Sequence, residues 1–345
     1  MAPDPRSSTA PRPGRGPRPV AARRAAGDMA AAGPAARAAM RCLALDVAAV
    51  ATHAALAERG IASVLLKGAG LGRLLGLEHR RRYSDVDLLV APATFHAAQQ
   101  LLRGLGYRSA TAGFRADEWG CWHERPWRIP GPLELTVDLH RGFAGVADAD
   151  AFWVAISAGA RPMPLAGGTI LVPDDAGAAL LLGLHAAGPG GSVKPTTDLL
   201  GALDVLPVAV WAAAADLAHR VRATSAFAFG LRQVDRGVEL AETLQLPPHQ
   251  VSTGQWIIAR HGSEEAYALA RLASLPTWWA TLRFLARRLV PSPAFMRYTE
   301  NRARTGPVGL TLAYLLRAGR YARRTPAGVR EWRSARRTTP GPARR

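Results

Sequence analysis

Two carboxylates, Asp85 and Asp87, stand two residues apart within Ser84-Asp85-Val86-Asp87-Leu88-Leu89-Val90. Side chains alternate across a strand, so the two acids point to one side while Val86 and Leu88 point into a core. Acids sharing a face repel each other unless a positive charge lies between them, and a hard divalent cation such as Mg²⁺ takes oxygen ligands. A third acid, Asp138, lies in Leu133-Glu134-Leu135-Thr136-Val137-Asp138-Leu139-His140, whose alternation puts Glu134, Thr136, Asp138 and His140 on one face. With both strands in one sheet, the three carboxylates form a cluster able to hold two divalent metals. Such a pair clamps the attacking and leaving oxygens of an in-line phosphoryl displacement.

The phosphates need donors, and the stretch just upstream offers them. Ile61 to Leu66 is a short apolar run that reads as a buried strand. Lys67-Gly68-Ala69-Gly70 is the turn after it, and Leu71 to Leu77 a short helix with its N-terminus facing the turn. Glycine lets the backbone approach closely and a helix N-terminus favours an anion, so Lys67 and the N–H groups of Gly68–Gly70 are expected on a triphosphate. Lys67 and Lys194 are the only lysines in a chain that uses Arg for every other positive side chain. A compact ammonium on a flexible stem suits a phosphate oxygen where a planar fork does not fit. Arg81 or Arg82 would add charge near the transferring phosphate. An Asp-x-Asp pair alone is common in turns, and most arginine runs are simply solvated. The weight comes from the strand, turn and helix before the pair and from the third acid after it. Glu134 and His140 read as rim or supporting groups beside Asp138, His185 as a core histidine, Asp198 as a helix cap, and Trp119, Trp122 and Trp127 as packing.

The elements that position these residues follow from periodicity. Residues 35–59 carry Met40, Leu43, Val47, Val50 and Leu56 at helical spacing, ended by Gly60. Pro92 opens a helix that Gly106 ends; short strands are expected at 107–110 and within 118–128, a helix at 152–156 and a hairpin at 162–172 about Gly167-Gly168. Helices then run over 174–185, 198–206, 211–223 and 226–244, with Arg-rich apolar helices at 282–289 and 310–321. The expected division is a disordered basic tail (1–34), a catalytic core (35–173), a helical domain (174–322) and an Arg-rich frayed tail (323–345), an α+β organisation overall.

Composition narrows the function. The formal net charge is +18, yet residues 1–38 supply +5 and 279–345 supply +14, leaving 39–278 at −1. The catalytic body is nearly neutral, which argues against a specific nucleic-acid surface around the aspartates. The basic ends suit a solvated tail, or an acidic partner, RNA or an anionic membrane surface. Cys42 and Cys121 make no disulfide framework, the N-terminus lacks the apolar core of a secretory signal, and no apolar run reaches the length of a membrane span. A cytoplasmic location is expected.

The motifs together resemble the nucleotidyltransferase superfamily with the DNA polymerase β-like fold, and within it an uncharacterised bacterial family with a Lys-Gly turn. The matching residues are Leu65-Leu66-Lys67-Gly68, Arg82-Tyr83-Ser84-Asp85-Val86-Asp87-Leu88-Leu89-Val90, Leu105-Gly106-Tyr107 and Val137-Asp138-Leu139-His140, with Leu184-His185-Ala186-Ala187, Asp198-Leu199 and 291–298 further on. The resemblance implies a small mixed sheet with helices followed by a helical domain. It implies transfer of a nucleoside monophosphate from an NTP to an acceptor with Mg²⁺ or Mn²⁺. Asp85 and Asp87 would ligate both metals, and Asp138 would ligate the catalytic one and help deprotonate the acceptor. Lys67, Gly68, Gly70, Arg81, Arg82 and Ser84 would hold the nucleotide, with His140 and His185 in support. Members usually carry Gly-Ser in the first turn; here Ala69 follows Gly68, which shifts the phosphate grip to Lys67 and backbone amides. A small molecule, a natural-product or peptide intermediate and a protein side chain all remain open as acceptor. The alternative is a degenerate nucleotide-binding or interaction protein that docks through its basic C-terminal region.

Overall fold

A computed structural model describes residues 33–338 apart from 79, 116–117, 119–122, 189–192, 248–251 and 260–261. Most of the expected N-terminal tail, together with Trp119 and Trp122, therefore lies outside the described residues. Pro34 belongs not to that tail but to α1 (Pro34–Ala57), where a proline fits the first turn. The buried side of α1 is Cys42, Leu45, Ala49, Thr52 and Leu56, while Leu43 and Val47 of the expected apolar face are exposed. An alanine-rich helix that is apolar on most sides does not resolve its own inward face; the sheet it packs against chooses it. Against the expectation that no apolar run reaches the length of a membrane span, α1 is long and apolar enough to cross one by length and composition alone.

The central sheet contains β1 (Ser63–Leu65), β2 (Val86–Val90), β3 (Arg108–Ser109), β4 (Glu124–Arg128) and β5 (Thr136–His140), in the order β1-β2-β5-β4-β3. Only the β2–β5 pair is parallel. Between β1 and β2 lies the short helix α2 (Ala69–Leu74), and between β2 and β3 lies α3 (Phe95–Gly104). Leu65, Val86, Leu88, Val90, Val137 and Leu139 point to the side covered by α1 and α3, where Trp127 is also buried, as packing. Val64, Leu66 and Leu89 point the other way, into the core of the helices that follow. By the same alternation Asp85, Asp87, Asp138 and His140 lie on this second side.

The helical half begins with α4 (Ala149–Ala158), followed by the hairpin β6 (Arg161–Leu165) and β7 (Gly168–Val172) and then α5 (Asp175–Ala186). Asp174 caps α5 by accepting the Gly177 N–H at 2.8 Å. Next come α6 (Val193–Val205), α7 (Val208–Arg220), α8 (Thr224–Leu231) and α9 (Asp235–Thr243). One expected helix at 226–244 is thus two. Asp198 is a buried residue inside α6, not a cap, because the helix starts five residues earlier.

The last part holds α10 (Thr253–Ala259), α11 (Glu264–Ala273), α12 (Trp278–Leu289), α13 (Pro293–Thr299) and α14 (Pro307–Thr338). Residues 323–338 are not frayed: α14 runs through them. Arginine is a good helix former, and tertiary contacts hold this end. Glu331 accepts from the Ser263 hydroxyl at 2.5 Å, Gly328 lies against Glu265, and Ala335 is buried beside Ile257, Ala266 and Ala270.

Candidate active site

Asp87 and Asp138 are register partners on the parallel β2–β5 pair, so their Cα atoms lie about one strand spacing apart, roughly 4.8 Å. Asp85 stands just before β2, two residues from Asp87. The three acids expected to converge do share one sheet face at neighbouring positions. That face is turned toward the helical half, which explains why Asp87 is buried.

The Lys67 ammonium supplies the positive charge such a face requires. Antiparallel pairing of β1 with β2 brings the Leu66 N–H to the Asp87 carbonyl at 2.9 Å, so the next residue overhangs the acids. Lys67 Nζ donates to Asp87 Oδ1 at 3.2 Å and lies 5.2 Å from the centroid of the Phe143 ring. His140 Nε2 lies 3.0 Å from the same Asp87 oxygen, its ring stacked on Phe143. Burial pushes Asp87 up, but Lys67 and the His140 hydrogen bond overcome it and hold the group below the usual carboxylate range. Burial also works against the Lys67 ammonium, yet Asp87 keeps it above its ordinary value. The other two acids go the opposite way. Burial and then the Asp87 charge raise Asp85, and the same two causes push Asp138 up to about 7. Asp138 Oδ1 is buried without a hydrogen-bond partner among the described residues. Oxygen donors of this kind, one of them unpaired, fit a hard divalent cation.

The Lys-Gly turn owes its shape to Gly68, at φ 69° and ψ −126°, a conformation only glycine adopts without strain. A Cβ there would lie 3.7 Å from the Tyr83 ring. Gly70 has a different reason: a Cβ on it would meet Val172 Cγ1 of β7 at 3.1 Å, so its bare side faces the hairpin. The Arg81 side chain is buried; it donates to the Gly68 carbonyl at 3.0 Å and forks onto Asp198. Arg81 therefore braces the turn through the Gly68 carbonyl. Arg82 is exposed and, with Cys42, Asp46 and Tyr83, lines a cavity of about 360 Å³ that contains none of the three aspartates. The Ser84 hydroxyl donates to Asp85 Oδ2 at 3.2 Å, and the Ser84 carbonyl accepts from Arg41 of α1. His185 sits on α5 with Nδ1 buried and unpartnered among the described residues, and burial, then Lys67, lowers it to about 4.

Two features escaped the sequence. Lys194, near the start of α6, adds a charge that Asp85 and Asp87 feel. Its signal was present, since it is the only other lysine in the chain. Glu124 pairs with His140 across β4–β5, and His123, Glu124 and His140 each place a ligand atom within 4.8 Å of the others, a group able to hold a metal ion. Burial lowers His123 to about 4. The register of β4 on β5 cannot be read from one sequence, so nothing signalled this group.

The chain belongs to a family described as uncharacterised nucleotidyltransferases, whose model matches residues 28–236. It is a nucleotidyltransferase, an enzyme that moves a nucleoside monophosphate from an NTP to an acceptor. No curated protein matches it. Among solved structures, an antigenic nucleotidyltransferase-like protein from Paracoccidioides brasiliensis is 14% identical with a TM-score of 0.34, covering 59% of this chain and 94% of that one. A tRNA-processing enzyme in an apo form is 16% identical with a TM-score of 0.23, covering 76% of this chain and 78% of that one.

Proposed function

We propose that Asp85, Asp87 and Asp138 hold Mg²⁺ or Mn²⁺ and that the chain uses them to transfer a nucleoside monophosphate from an NTP to an acceptor hydroxyl or similar nucleophile. The observation that carries this is the register pairing of Asp87 with Asp138, with Asp85 on the same face. A divalent cation held there would supply charge for the α-phosphate and acidify the acceptor. Lys67 is within reach of the phosphates once it leaves Asp87, and the Gly68 turn presents backbone N–H groups beside it. The acceptor oxygen attacks the α-phosphorus, the bond to the β-phosphate oxygen breaks, and pyrophosphate leaves. Asp138, beside the cation, would accept the proton of the acceptor. His140 keeps Asp87 oriented through Oδ1.

The test is incubation of the purified chain with each labelled NTP and Mg²⁺ or Mn²⁺, reading pyrophosphate release and self-labelling. Metal-dependent turnover that Asp85→Asn/Asp87→Asn abolishes is the expected result. Activity surviving that double substitution would overturn the site assignment.

A further inference from the structure

An amphipathic helix of a globular protein ordinarily turns its apolar stripe to the core. In α12 the stripe faces outward. Trp278, Leu282, Leu285 and Leu289 recur at i, i+4, i+7 and i+11, and all are exposed, the tryptophan at 63% and Leu282 and Leu289 at 51%. Trp279, also 63% exposed, stacks on Trp278 with centroids 3.7 Å apart, and Val290 extends the stripe. The side that meets protein carries Phe284 and Arg288: with Leu285 and Leu289 at the edge of the stripe they line a groove against Ala268 and Leu272 of α11, and Arg288 donates to the Glu264 carbonyl at 3.4 Å and lies over the Tyr321 ring. The inversion recurs in α14, where Val308, Leu312, Leu315 and Leu316 form a second exposed stripe. Both helices lie within 278–345, which carries sixteen Arg against Glu300 and Glu331.

We propose that the outward stripe of α12 docks the protein on an anionic bilayer surface. Tryptophan and leucine on one face with arginine around them is the pattern of a helix lying in the headgroup region. There the rings sit at the apolar boundary and the guanidinium groups meet lipid phosphates. The charge imbalance selects an anionic surface over a neutral one, since each basic side chain near such a surface adds to the attraction. The end of α12 is tied to the connection between β3 and β4: the Val290 carbonyl accepts from Arg115 at 3.0 Å, and Glu118 accepts from the Ser292 hydroxyl at 2.5 Å. None of the stripe residues is among those assigned to the transfer reaction, so docking is tested without nucleotide.

The test is co-sedimentation of the full chain, in buffer without NTP, with vesicles of phosphatidylcholine alone and of phosphatidylcholine mixed equally with phosphatidylglycerol. Binding to the mixed vesicles should exceed binding to the neutral ones by about tenfold or more and fall with added salt. Trp278→Ser/Trp279→Ser should lower it by about tenfold with an unchanged circular dichroism spectrum. Leu282→Gln/Leu289→Gln carries the same expectation, so a misfolded tryptophan variant does not leave the question untested. Failure to bind either vesicle, equal binding to both, or binding unchanged in the folded variants would overturn the proposal. So would a stripe-dependent dimer, or RNA binding, in a chain that ignores vesicles.

Discussion

Arg81, in the loop after α2, lays its guanidinium fork along Asp198 of α6, Nε to Oδ1 at 3.2 Å and Nη2 to Oδ2 at 2.8 Å, with the side chains only 5% and 7% exposed. The remaining nitrogen donates to the Gly68 carbonyl. One residue thereby joins the helical half to the turn beside the acids. Removing one partner of a buried pair strands the other charge, so Asp198→Ala should cost about 3–5 kcal/mol in urea unfolding. Arg81→Met/Asp198→Leu should regain much of that stability while leaving turnover impaired, because nothing then holds the Gly68 carbonyl. Full activity in the double variant would show that the turn does not depend on the pair.

Asp138 makes metal-free stability pH-dependent, and the sign is definite. Its folded value of about 7 lies above the ordinary carboxylate value, so the folded chain binds the extra proton between about pH 4 and 7. Its contribution is fully present below the unfolded value and is lost as pH rises through 7. Asp87 works in the opposite sense, but its loss falls at pH below about 4, outside that window. His123 and His185, lowered to about 4 by burial, work in the opposite sense up to about pH 6.5. The Asp138 contribution is therefore read as a difference: in EDTA the wild-type melting temperature should fall relative to that of Asp138→Asn as pH rises from 5 to 8. A gap between the two melting temperatures that stays constant across that range would contradict this account of Asp138.

Lys67 is expected to serve two states, neutralising Asp87 in the resting site and meeting phosphate oxygens with NTP bound. Lys67→Met should lower kcat on the order of 10²-fold or more, as loss of a preorganised charge does. Lys67→Arg should rescue it poorly, since the planar fork does not replace a point charge between Asp87 and Phe143. Pyrophosphate release under saturating NTP measures both.

The two glycines of the turn should separate. Gly68→Ala forces a side chain into a glycine-only conformation and should cost about 1–3 kcal/mol by chemical denaturation. Gly70→Ala meets only Val172 and should be relieved by Val172→Ala. A Gly70→Ala variant as destabilised as Gly68→Ala, and not rescued, would show that the hairpin contact is not what constrains this position.

Much of the centre was legible because it is local. Asp85 and Asp87 share a face by strand alternation, Lys67-Gly68 follows an apolar strand, and Asp174 starts a helix; each needs only neighbours in sequence. The pattern of one strand also told which side of it was polar. What it did not tell was which strand lies next to which. Tertiary structure made β2 and β5 parallel partners and so put Asp138 beside Asp87. It also made β4 a partner of β5, bringing Glu124 to His140. It set the Arg81 guanidinium on Asp198, which lies inside a helix and not at its cap, a contact spanning 117 residues. It turned the apolar side of α12 outward, where helical periodicity alone implies an inward face. Periodicity identifies a face, but only the surfaces available to cover it decide where that face points.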